Sequence, residues 1–152
     1  MKKENSDIVK GTSVIFRVPA RLADIRLIGL SVHALFTDLG FNEVDAFQLE
    51  LAITEAANNI VKHSYNFKEN ATINLKFSTT PAKVTCVFAD TGKFENFLKN
   101  NGLDDIATDT KTLPPSSRGI FIICDVMDEV TYRRSGDKNI LTLVKYLKYK
   151  AY

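Results

Sequence analysis

The chain lacks an excess of charge of either sign. Its 152 residues carry 20 Lys and Arg against 18 Asp and Glu, a net charge of +2. So balanced a composition gives no case for a nucleic-acid partner. Long apolar runs are also missing. None approaches the ~20 residues that a membrane-spanning helix needs. The opening MKKENSDIVKG is polar, without a signal-peptide core. Cysteine is scarce: Cys86 and Cys124 are the two, both inside apolar runs. Free cysteine behaves as a small hydrophobe, so both are expected to be reduced core residues, and nothing suggests an oxidising compartment. The expected location is cytoplasmic, with no membrane partner. No internal repeat or low-complexity segment is present.

What is there is ordinary for a soluble globular protein: 45% hydrophobic and 25% charged residues. The length predicts one domain, large enough to bury about 68–70% of its unfolded surface. Residues 1–12 read as a flexible leader and 13–152 as a single domain. SVIFRV (13–18) alternates as a strand, and Pro19 is expected to open a helix that Gly40 stops. A second helix is predicted over Glu43–Ser64, with Leu49, Ile53, Ala56 and Ile60 as its apolar stripe. TINLKF (72–77) and KVTCVFAD (83–90) read as a hairpin. Residues 93–117 break every long pattern, although FENFL suits one helical turn. A connection of that length is usually functional, so it reads as a lid or binding loop. RGIFIICDVMDE (118–129) reads as a short apolar helix, and VTYRR with NILTLVKYL as a closing hairpin around SGDK. Partly segregated helices and strands predict an α+β fold, with helices on one face of a mostly antiparallel sheet.

The segment TEAANNIVKHSY (54–65) carries the first chemistry. Asparagine is a poor helix former because its side chain competes for the backbone, yet Asn58 and Asn59 stand side by side in a predicted helix. Glu55, Asn59 and His63 are spaced i, i+4, i+8, so they are expected to climb one face opposite the apolar stripe. A carboxamide oxygen is a hard ligand suited to Mg²⁺, and a carboxylate one turn away can take a proton from a hydroxyl or water. The bland reading is a solvated helix face. FADTGKF (88–94) sets Asp90 and Gly92 just past an apolar strand. There the aspartate can accept from a ligand amine, and the glycine can let the backbone approach a flat ring. A plain turn is the bland alternative. PSSRGIF (115–121) sets Arg118 and Gly119 at a helix start, where free N–H groups and the dipole favour phosphate. An ordinary serine cap is the alternative there.

In this order, the three segments resemble the N, G1 and G2 boxes of the GHKL ATPase superfamily, which has the Bergerat nucleotide-binding fold. The nearest branch resembles the anti-sigma factor serine kinases of bacterial partner-switching systems. The resemblance runs from about Ser13 to Leu147, with its best matches in ELAITEAANNIVKHSY (50–65) and RGIFIICDVMDEV (118–130). It implies ATP and Mg²⁺ as ligands, Glu55 as general base, and Asn59 as the Mg²⁺ ligand. It implies Asp90 as acceptor for the adenine amine with Gly92 beside it, and Arg118 and Gly119 in the loop around the phosphates. His63 is expected to be structural. The implied partners are a STAS-domain anti-anti-sigma protein, a sigma factor or other regulator, and a second copy of the chain as a homodimer. The chain departs from the pattern in three places: DTGKFE (90–95) lacks the second glycine or Pro/Ser-Phe-Asp variant of G1, SSRG holds one glycine, and the family's late Gly-Thr falls near Asn139 and Ile140, neither of which matches. The function expected is an ATP-dependent protein serine kinase. The alternative is a binding module of the same fold that sequesters a partner with little or no turnover.

Overall fold

A computed structural model describes residues 11–68, 70–93 and 118–147. The leader's first ten residues and nearly all of the expected lid, with its FENFL turn, lie outside that set. The elements are β1 (Ser13–Pro19), α1 (Leu22–Asp38), α2 (Glu43–Asn59), a π-helix (Ile60–Ser64), β2 (Thr72–Thr79), β3 (Lys83–Asp90), α3 (Arg118–Val126), β4 (Glu129–Ser135) and β5 (Lys138–Tyr146). The strands form one sheet in the order β1-β2-β3-β5-β4, and every pairing is antiparallel. Helices cover one face, so the fold is α+β in two layers, as the sequence predicts.

Alternation in the strands decides which face is covered. Ile73, Leu75 and Phe77 of β2 are buried, as are Val84, Cys86 and Phe88 of β3 and Leu141 and Leu143 of β5. They meet Ile25, Ile28, Val32 and Phe36 of α1 and Leu49, Ile53, Ala56 and Ile60 of the second helix in one core. Phe36 packs edge-on against Phe77, with ring centroids 5.4 Å apart, a favoured aromatic geometry. The two long helices lie close because Gly29 has no side chain: a Cβ there would stand 3.0 Å from Thr54 Oγ1. His33 of α1 bridges two carboxylates of α2, with Nδ1 2.8 Å from Glu50 and Nε2 3.3 Å from Glu43. Cys86 and Cys124 are both free thiols. Among the described residues no helix is long and apolar enough to cross a membrane.

Local chemistry departs from the expectation at two element boundaries and in one helix type. Pro19 ends β1, opposite Thr72, instead of opening α1. β1 is an edge strand, where a residue with no N–H to donate is tolerated. The second helix does run to Ser64, but its last five residues form a π-helix, with Tyr65 N–H reaching back to Ile60 O at 2.9 Å. α3 stops at Val126 rather than at residue 129. There Lys145 of β5 caps it, donating to Val126 O at 2.7 Å and pairing with Asp128 at 3.2 Å. Elsewhere the punctuation is as expected. Asn42 caps α2 through Asp45 N–H. Gly40 takes φ +90° and ends α1.

Candidate functional site

The end of α2 and the start of α3 meet at one glycine. Gly119 is the second residue of α3, and a Cβ on it would lie 2.7 Å from Glu55 Oε2 and 3.6 Å from both amide atoms of Asn59. The carboxylate and the carboxamide, one turn apart on α2, therefore face the first turn of the nine-residue α3. Neither is a solvated surface residue. Glu55 is half-buried and Asn59 is buried. The Asn59 Nδ2 is buried with no hydrogen-bond partner among the described residues. A buried amide in that state is costly, which marks a place where a ligand would supply the missing contact. Arg118 heads α3 and is exposed.

The second half of the site lies one π-helix away. Asp90 ends β3 and is only 4% exposed. Its Oδ1 accepts from Gly92 N–H at 2.8 Å and from the Asn139 amide at 2.8 Å. Burial pushes the Asp90 carboxyl above its ordinary value, and the bonds from Asn139 and Gly92 work against that rise. The Ser64 hydroxyl is buried beside both Asp90 and Tyr132 but meets neither with well-formed geometry. Burial pushes the Tyr132 phenol up, and the Asp90 charge adds to the effect.

The π-helix joins the two halves: Asn59 precedes it and Ser64 ends it. Such wide turns recur at functional sites. His63 lies within the π-helix, where the i→i+5 pattern replaces the i, i+4 spacing that related it to Glu55 and Asn59. It is half-buried, and burial followed by the Lys62 charge lowers its pKa below 6.5. Gly92 is needed for a reason other than the one expected. Its missing side chain makes room for the backbone of Ser64, on whose carbonyl group a Cβ would fall. Lys93 N–H donates to that carbonyl at 2.9 Å.

Sequence reasoning thus picked out six residues that fall into two neighbouring groups, with Arg118 alone making no described contact to either. It passed over Asn139, Ser64 and Tyr132. Asn139 had a usable signal. It alternates with Leu141 and Leu143, which places an amide on the buried face of β5. A separate cavity of 410 Å³, lined by Arg17, Tyr65, Asn74, Ala89 and Lys138 among others, reaches Asp90 from the sheet's open side. Glu55, Asn59 and Gly119 take no part in it. Among the described residues no cluster of three or more His, Cys, Asp or Glu is placed to hold a metal. A metal here would rest on Asn59 and on groups that a ligand brings, which suits Mg²⁺.

Residues 18–145 match the model of the histidine kinase-like ATPase domain. The serine-protein kinases RsbW of Staphylococcus aureus strains RF122/ET3-1 and MRSA252 are each 33% identical to the chain over 137 residues, covering 87% of it and 85% of their own length. This chain belongs to the histidine kinase-like ATPase family, on its RsbW serine-protein kinase branch. The RsbW of strain JH9 is 32% identical over the same length. Among solved structures, that of the RsbU and RsbW domains of Rv1364c from Mycobacterium tuberculosis superposes with a TM-score of 0.61 at 14% identity. It shares the fold over 88% of this chain, which spans 32% of that longer one.

Proposed function

We propose that this chain is an ATP-dependent protein serine kinase of a partner-switching system. It transfers phosphate to a serine of a STAS-domain anti-anti-sigma protein and holds a sigma factor or similar regulator when that protein is absent. The single observation that carries the reading is the seat of Gly119 against Glu55 and Asn59. It sets a helix N-terminus, which suits phosphate, beside a proton acceptor and a hard oxygen ligand. The identity to RsbW serine-protein kinases supports the same chemistry.

Each residue then has a task. Asn59 would hold Mg²⁺ through its carboxamide oxygen, and the buried amide that now lacks a partner would gain one from the ligand. Bound there, Mg²⁺ supplies neutralisation of phosphate charge. Glu55 takes the proton of the incoming serine hydroxyl as the serine oxygen bonds to the γ-phosphorus and ADP leaves. Arg118 and the first N–H groups of α3 receive the phosphates. Asp90 accepts from the adenine amine at the other end. Phosphoryl transfer asks a protein mainly for such positioning and charge stabilisation. Location in the cytoplasm and pairing as a homodimer belong to the same reading.

The direct test is transfer of labelled phosphate from ATP to a purified STAS-domain partner. No transfer, with ATP bound, would leave a sequestering module instead. Asp90→Asn tests the ring end. A hydrogen bond to a charged group is worth about 1.5–3 kcal/mol, so ATP affinity should drop roughly tenfold or more while the melting temperature changes little. ATP titrated by calorimetry into both proteins with the same result would remove Asp90 from the site.

A further inference from the structure

Asn139 stands near the place of the family's late Gly-Thr, and every polar atom of its amide is committed. It is completely buried. Its Nδ2 donates to Asp90 Oδ1 at 2.8 Å and to Gly92 O at 3.0 Å. Its Oδ1 accepts from Arg134 Nη1 at 3.2 Å. The amide can face only this way: turned over, it would set its oxygen against the Asp90 carboxylate and its donors against a guanidinium. A network so fully satisfied is rigid.

The consequence falls on Asp90. A carboxylate offers about four lone-pair sites, two on each oxygen. Gly92 N–H and Asn139 together occupy both sites of Oδ1. Oδ2 is the oxygen left to accept from a ligand. Adenine asks for one acceptor, for a single N–H of its amine. Guanine presents two parallel donors, N1–H and N2–H, which match a free carboxylate through both oxygens. Against an Asp90 with one oxygen spent, one of the guanine donors is buried without a partner, which is costly.

We infer that Asn139, held by Arg134, is a specificity-determining residue that makes Asp90 a one-oxygen acceptor and so excludes guanine nucleotides. The inference rests on the proposed role of Asp90 at the purine ring. Asn139 is a positioning residue, since it acts through Asp90.

Calorimetric titration of ATP and GTP into four full-length proteins tests it: the parent, Asp90→Asn, Asn139→Ser and Arg134→Met. The parent should prefer ATP. Asn139→Ser carries its single donor one bond nearer the backbone, too short to span the 2.8 Å bond that Nδ2 makes, which frees a site on Oδ1. Its ATP-to-GTP preference should fall about tenfold, the worth of one hydrogen bond to a charged group, chiefly through tighter GTP binding. Arg134→Met removes an exposed side chain and loosens the amide from behind, so it should shift the ratio the same way by less. A merely structural Asn139 would weaken both nucleotides together and leave the ratio fixed, which would overturn the inference. If Asn139→Ser fails to fold, Arg134→Met decides: an unchanged ratio there overturns it. Asp90→Asn separates the two claims. ATP binding equal to the parent's would reject the role of Asp90 and the inference with it. Lost ATP binding, with fixed ratios in the other two variants, would reject the inference alone.

Discussion

Glu55→Ala should bind ATP as the parent does and transfer phosphate to its partner about 10²–10⁴-fold more slowly, the usual worth of a positioned general base. The carboxylate is well placed to be lost without structural damage. Among the described residues it makes no hydrogen bond or ion pair, and its nearest constraint is the space left by Gly119. Truncating a half-buried side chain without hydrogen-bonded partners should shift stability by about 1 kcal/mol or less. The loss should therefore appear in single-turnover transfer, with the ATP isotherm unchanged and the melting temperature lower by no more than about 4 °C. Asn59→Ala should behave differently, because it removes the proposed Mg²⁺ ligand: its ATP affinity should lose its dependence on added Mg²⁺. Transfer at the parent rate by Glu55→Ala would end the assignment of Glu55 as base without touching the fold.

Among the described glycines, Gly92→Ala should be the most damaging. The new Cβ would fall on the carbonyl of Ser64, a backbone group that cannot rotate away. β3 and the π-helix would have to separate, and that strains two bonds: Lys93 N–H to Ser64 O, and Gly92 N–H to Asp90. Overpacking of this kind costs about 1–3 kcal/mol or more. For a chain of this length that lowers the melting temperature by about 2–4 °C for each kcal/mol. ATP affinity should fall with it, because Asp90 loses a bond that aims it. Gly136→Ala is the matched control. Its φ is +61°, so alanine is strained there, yet a Cβ meets nothing within 4 Å. It should lose a little stability and keep nucleotide binding. Equal melting and equal binding for Gly92→Ala and the parent would show that the close approach is dispensable.

Most of the fold was legible because its signals are local. Alternation in TINLKF and KVTCVFAD reported a half-covered sheet, and the apolar stripe of α2 reported which side it packs on. The arrangement of the candidate site was legible where one element holds both partners, as with Glu55 and Asn59 one turn apart. It was not legible where partners meet across strands. Asn139 and Asp90 are 49 residues apart in sequence, and only the register of β3 against β5, which pairs them directly, brings them together. The π-helix was hidden for another reason. A pattern with 3.6 residues per turn extrapolates smoothly through Asn59, and nothing in IVKHS announces a wider turn. Gly92 was found, but for ring approach, since sequence cannot say which backbone a missing Cβ makes room for.

The strand order has a bearing on how the chain reaches this structure. β2 with β3 and β4 with β5 are near neighbours in sequence and can close early. β1 must find β2 across the whole α1–α2 hairpin that separates them. Loop-closure entropy opposes such distant pairings until other contacts reward them. The helices are therefore expected to dock on a nascent β2–β3 ribbon first, with the edge strand zipping on last. Pulse-labelled hydrogen exchange during refolding would then show the β2 amides that face β3 protected before those of Val14 and Phe16, which face β2. An edge that arrives last is also the first to leave, so the opening of β1 is expected to be the easiest step of local unfolding.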